Sequence, residues 1–151
     1  MNSKEIKKII TAQICRKYGV SQLQEVRFPT FTADVVFVSD KKRRLIGVEI
    51  KADNDSSRRL RGQLQGYLQW FNVVFVFCTK KQLKGVERVL KDPLFKGVGI
   101  MLLQDNDDIE IIKHARIISD IKAFNPRVNT GWISKKHQLQ RWLWLLNELW
   151  R

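Results

Sequence analysis

The chain has 151 residues, and its 28 lysines and arginines outnumber 15 acidic residues to give a formal net charge of +13. With 44% hydrophobic and 28% charged residues it has the composition of one globular domain, residues 1–151, which excludes an intrinsically disordered chain. No apolar run approaches the ~20 residues that span a bilayer, and MNSKEIKKII lacks the apolar centre of a secretion signal, so the expectation is a soluble, cytoplasmic protein of a bacterial or phage-infected cell with no membrane partner.

In chain order, residues 3–18 place Ile6, Ile9, Ile10, Gln13 and Ile14 on one helical stripe with lysines opposite, and Gly19 ends the helix. Val26 to Phe28 reads as a short strand closed by Pro29, Ala33 to Val38 as a stronger one, and Leu45 to Ala52 as a third beyond a charged turn. The polar run at residues 53–57 offers N-caps for a second helix, on which Leu60, Leu64, Tyr67, Leu68 and Phe71 recur at helical spacing. Val73 to Cys78 is apolar throughout, as in a strand buried on both faces. A helix with Leu83, Val86 and Leu90 stops at Asp92-Pro93, and strands at Gly97 to Leu103 and Ile109 to Ile112 flank an acidic turn. Cys15 and Cys78 fall inside the first helix and the buried strand, so they read as buried thiols and not as a disulfide framework. After an irregular stretch, residues 132–151 form an amphipathic C-terminal helix carrying Trp142, Leu143, Leu146 and Trp150. The order helix, three strands, helix, strand spells an α/β fold with an αβββαβ core, about residues 3–116, and a mixed central sheet flanked by helices.

The chemistry concentrates in residues 32–52, TADVVFVSDKKRRLIGVEIKA. Side chains alternate along a strand, so Glu49 and Lys51 share one face while Val48 and Ile50 share the other. If Ser39 pairs with Arg44 around a turn at residues 40–43, paired numbers sum to 83, and Asp34 then faces Glu49. Directly opposed residues lie about 4.5–5.5 Å apart at Cβ, where like charges destabilise a sheet. Two such carboxylates need a cation, either the Lys51 ammonium or a divalent ion. Mg²⁺ is the natural candidate, because it takes hard oxygen ligands from one or two carboxylates and a substrate phosphate. On a chain of charge +13 that substrate is a phosphodiester, and the expected partner is nucleic acid, DNA first.

This stretch resembles the PD-(D/E)xK nucleases, whose core motif is an acid, a variable gap, then acid-x-Lys on the neighbouring strand. Here those elements are Asp34 and Glu49-Ile50-Lys51, and the following Gln63-x-x-x-Tyr67 helix is similar to that of a small bacterial, DNA-repair-associated branch. The resemblance covers residues 25–79. It implies a restriction-endonuclease-like fold and a Mg²⁺-dependent endonuclease, with Mn²⁺ able to substitute. Asp34, Glu49 and the Ile50 backbone carbonyl would hold the metal, Lys51 would serve catalysis, and Gln63 would orient a water or touch nucleic acid. Ala33 stands where the family name has proline, and Asn72 replaces an acid often found there. Glu25 is a further ligand candidate, although its gap to Asp34 is longer than in that branch; Glu5 is another, although Asn2-x-x-Glu5 reads more readily as a helix cap. The alternative function is a non-catalytic nucleic-acid-binding module of the same fold acting within a larger complex.

Lys41, Lys42, Arg43, Arg44, Arg58, Arg59, Arg61, Lys135 and Lys136 are candidates for a phosphate-contacting rim, each being also an ordinary solvated charge. Gly62 and Gly66 lie on one helical face, each less favourable than alanine by ~1 kcal/mol, so either a phosphate backbone or another part of the fold comes close there. His114 and His137 lack metal-ligand spacing. The wide apolar C-terminal helix suits core packing or a homodimer seam.

Overall fold

Asn2 starts the first helix by a reciprocal cap: its side-chain oxygen accepts the Glu5 N–H at 2.9 Å, and the Glu5 carboxylate accepts the Asn2 N–H at 3.0 Å. In the computed structural model, which describes residues 2–28, 31–39 and 44–118, this helix, α1, spans Ser3–Tyr18 and closes at Gly19 in the left-handed region, φ 63°. The strands β1 (Ser21–Arg27), β2 (Thr32–Ser39), β3 (Arg44–Lys51), β4 (Val73–Cys78), β5 (Gly99–Leu103) and β6 (Ile109–Lys113) follow, with α2 (Leu60–Trp70) and α3 (Leu83–Leu90) on either side of β4 in the chain. The turn at 40–43 and the C-terminal helix expected at 132–151 lie outside the described residues, and with them Lys41, Lys42, Arg43, Lys135, Lys136 and the dimer seam.

The six strands form one mixed sheet in the order β1-β2-β3-β4-β5-β6. Antiparallel pairs join β1 to β2, β2 to β3 and β5 to β6, while β3, β4 and β5 run parallel. The parallel centre is covered on both faces, as such a centre must be. α1 buries Ile6 and Ile10 against Val35, Phe37, Val48 and Ile50. α2 and α3 bury Leu64, Tyr67, Phe71 and Val86 against Val36, Val74 and Val76 on the other face. The expected α/β architecture is therefore the observed one. Among the described residues no helix is long and apolar enough to cross a membrane.

One boundary differs. β1 starts at Ser21, well before Val26, because among the described residues SQLQEVR is an edge strand paired only with β2. Val26 is its single buried residue, so no apolar alternation announces it. The helix after β3 is prefaced by a 3₁₀ turn at Ser57–Arg59, where the Ser56 hydroxyl accepts the Arg58 N–H at 3.2 Å.

The two helical glycines have different environments. A Cβ at Gly66 would fall 2.5 Å from a ring carbon of Phe31, whereas one at Gly62 meets nothing within 4 Å. Phe31 stacks on Phe28 with centroids 4.9 Å apart and leans on Tyr67 at 4.8 Å, so it has little freedom to retreat. The close approach at Gly66 thus comes from the fold itself. Gly62→Ala is expected to stabilise the protein by about 0.5–1 kcal/mol, and Gly66→Ala to destabilise it by about 1–3 kcal/mol. Urea unfolding of the two variants checks the opposite signs.

Candidate active site

β2 and β3 pair in the register that brings the acids together. Ser39 faces Arg44, Val35 faces Val48, and every pair of the ladder sums to 83. The ladder ends at Val35–Val48, and Asp34 and Glu49 occupy the next position. There side chains replace backbone pairing. Asp34 Oδ2 accepts the Ile50 N–H at 2.8 Å, and the Asp34 N–H donates to the Tyr67 hydroxyl at 3.1 Å. That hydroxyl donates in turn to Glu49 Oε2 at 2.6 Å. Lys51 Nζ lies 3.9 Å from Glu49 Oε1. Because Val48 and Ile50 pack into the α1 core, Glu49 and Lys51 face α2, where Tyr67 waits. Glu49 is 3% exposed and Lys51 5%, while Asp34 is half-buried and is the member that solvent reaches.

Burial sets the electrostatics. It raises the Asp34 carboxyl above its ordinary range against the pull of the Ile50 N–H and of Lys7. Glu49 is pushed up to about 8, first by burial and then by the Asp34 charge, against the stabilising Tyr67 hydroxyl and Lys51 ammonium. Near neutral pH the facing pair therefore retains a proton, held by Glu49. The Tyr67 phenol is held well above its ordinary value of 10, by burial first and then by the two acids, so it stays a donor.

The donor set fits a hard divalent ion. Two facing carboxylates, one of which keeps its proton because burial and its neighbour's charge disfavour ionisation, offer the hard oxygen ligands that Mg²⁺ takes. The Ile50 N–H points to the β2 side of β3, and in extended backbone the carbonyl of the same residue points the same way, toward Asp34. The Lys51 carbonyl turns to the other side and accepts the Thr79 N–H at 3.2 Å. Gln63 stands one helical turn before Tyr67 on the same face of α2, and its buried Oε1 has no hydrogen-bond partner among the described residues.

The other sequence candidates separate. The Glu5 carboxylate is engaged in the α1 cap. Glu25 lies across β1–β2 from Asp34, between the Gln24–Val35 and Val26–Ala33 pairs, in left-handed backbone (φ 52°), and pairs with Lys7. Arg44 opens β3, seven residues from Lys51 along the strand. Arg58 and Arg59 are exposed on the 3₁₀ turn, whereas Arg61 is paired with Asp92 and lies 5.6 Å over the Phe95 ring. Asn72 is remote from the site: its side chain accepts the Leu45 N–H at 2.9 Å and stitches the start of β3. Sequence reasoning missed two contributors, Lys7 and the Tyr67 hydroxyl. Tyr67 was findable, since it sits four residues after Gln63 on the same helix face; nothing marked Lys7 among the lysines of α1.

Residues 3–141 match the family model of bacteriophage P4 protein cII, so the chain belongs to that family. No curated protein matches it. A protein of unknown function from Silicibacter pomeroyi has a similar structure at 20% identity, with a TM-score of 0.54 over 90% of this chain and 85% of that one, which shows a shared fold. A weaker likeness, TM-score 0.44 and 15% identity over 76% of this chain and 64% of the other, is to Pyrococcus furiosus SfsA in complex with Ca²⁺.

The retained proton makes stability pH-dependent. The unfolded chain releases the Glu49 proton near its ordinary 4.5 and the folded chain near 8, so without divalent ions the folded state loses stability as pH rises through that window. Glu49→Gln keeps a Tyr67 acceptor and carries no charge. It is expected to unfold at a higher temperature than the parent at pH 8 and to lose most of that advantage at pH 4.5, which melting curves across the window measure.

Proposed function

We propose that this member of the bacteriophage P4 protein cII family is a Mg²⁺-dependent DNA endonuclease of the PD-(D/E)xK type, acting in a repair, recombination or mobile-element process. The observation that carries the reading is the convergence of Asp34, Glu49 and Lys51 at the end of the β2–β3 ladder, with an acid forced to keep its proton up to about pH 8. The net charge of +13 supports a polyanionic substrate.

Asp34, Glu49 and the Ile50 carbonyl would hold the metal. A bound Mg²⁺, or Mn²⁺ in its place, supplies polarisation of the phosphodiester and neutralises charge that builds on its oxygens. Tyr67 fixes the Glu49 carboxylate by its 2.6 Å hydrogen bond. Lys51 offers an ammonium on the same face for the developing negative charge. Gln63, with an unmatched acceptor, orients a water or contacts the backbone of the nucleic acid.

The enclosure of Glu49 and Lys51 favours one second reading, a nucleic-acid-binding module that keeps the fold without turnover. Incubation with plasmid, linear, branched and single-stranded DNA plus Mg²⁺ or Mn²⁺ separates the two. Cleavage that falls by about 100-fold or more in Glu49→Ala and in Lys51→Ala supports the nuclease; binding without cleavage of any substrate, unchanged in Glu49→Ala, leaves the module. Glu49→Ala also strips buried Lys51 and Tyr67 of a partner, so Glu49→Gln, expected to be comparably inactive while staying folded, shows that unfolding does not explain the loss.

Metal binding must displace the proton that Glu49 holds. Calorimetric titration with Mg²⁺ at pH 7 in buffers of different ionisation enthalpy is expected to show release of nearly one proton per site, and affinity is expected to climb as pH rises toward 8. Binding without proton release at pH 7 would contradict the coupled pair.

A further inference from the structure

The exposed side of α3 carries a row of cations that the motif at β2–β3 does not use. Lys84, Arg88 and Lys91 recur at intervals of four and three residues and so share one helix face. All three are exposed, and together with Glu87 they line a shallow depression of about 280 Å³. No ion pair among the described residues engages them, in contrast to Arg61, Lys80 and Lys7, which are held by Asp92, Asp105 and Glu25. Three positive side chains against one carboxylate leave the depression at +2.

Topology ties this row to the carboxylate site. Lys51 pairs with Cys78 across β3–β4, and the Thr79 N–H donates to the Lys51 carbonyl, so the chain leaves β4 beside the catalytic end of β3. The 3₁₀ turn at Lys80–Gln82 and then α3 start there. The 3₁₀ turn ahead of α2 is at the same end, packed so that a Cβ on Gly85 would lie 3.1 Å from Ser57 Oγ. α3 then runs back along the α2 side of the sheet, with Lys84 nearest the acids and Lys91 farthest. At 1.5 Å of rise per residue the row spans about 10 Å, enough to meet more than one phosphate of a strand whose charges advance about 3.4 Å apiece along the duplex axis.

We propose that this row is a phosphate track on which one strand of duplex DNA lies as it passes from the carboxylate site across α3. The inference rests on the nucleic-acid reading above and adds the surface that holds the duplex and the direction in which it runs. Contacts of this kind fix position and carry no base specificity, so binding along the track is independent of sequence.

The test measures affinity for a short duplex against salt concentration, with EDTA present so that nothing is cut. The triple variant Lys84→Gln, Arg88→Gln, Lys91→Gln is expected to flatten the slope of log K against log salt by about 2.7 and to weaken binding roughly 100-fold at 0.15 M salt. The control triple Lys4→Gln, Lys8→Gln, Arg16→Gln, also exposed but on α1, is expected to leave the slope near that of the parent. Equal losses in both triples would reduce the effect to net charge and overturn the track, as would an unchanged slope in the α3 triple when the parent binds well. A parent chain that binds no duplex overturns the nucleic-acid reading itself, and the track with it. Matching urea midpoints for the three proteins show that the fold is intact in each.

Discussion

Two carboxylates face one another at the end of a strand ladder, Glu49 in surroundings too dry to screen it, and much of the local architecture answers that difficulty. At about 5 Å and an effective dielectric near 20, two such charges repel by about 3 kcal/mol, a large share of the net stability of a domain this size. The relief is distributed: the Ile50 N–H serves Asp34, the Tyr67 hydroxyl serves Glu49, Lys51 supplies positive charge from the same strand, and a proton supplies the remainder. An arrangement that needs four separate remedies contributes poorly to stability on its own account. Its persistence makes sense if a divalent ion is the intended partner.

Helix α2 couples this site to the rest of the molecule. Tyr67 can reach Glu49 only because Gly47 in β3 presents no side chain: a Cβ there would fall 2.4 Å from Phe71 and 2.7 Å from Tyr67. Phe28, Phe31, Trp70 and Phe71 then wall the tyrosine in, with ring centroids 4.9 to 6.3 Å apart among neighbouring pairs. A packing defect in that aromatic cluster therefore reaches the carboxylates through one hydroxyl group, without any change in the motif itself.

The hairpin arithmetic was enough to place Asp34 opposite Glu49, because period-two alternation and a single turn length leave no slack between Ser39 and Arg44. The buried centre at Val73–Cys78 and the helix that stops at Asp92-Pro93 were legible for a similar reason: apolar continuity and proline punctuation are local signals. What escaped depended on contacts distant in sequence. β1 is polar because only one edge and part of one face of it are covered, so its first five residues look like a loop. Gly62 and Gly66 are indistinguishable as letters, and Phe31 alone tells them apart. Arg61 reads as one more rim cation until Asp92, 31 residues on, claims it. In the sequence Tyr67 reads as part of a helix, since the acceptor of its hydroxyl lies on strand β3.

Cys78 occupies the register position beside Lys51 and packs into the same face of the sheet. Burial pushes its thiol up to about 12, far from the range in which sulfur is nucleophilic. A thiolate there would compete for soft metals and open the centre to peroxide and alkylating agents. As it stands, the sulfur is inert filler, and the acid–lysine cluster next to it is insulated from the redox state of its surroundings.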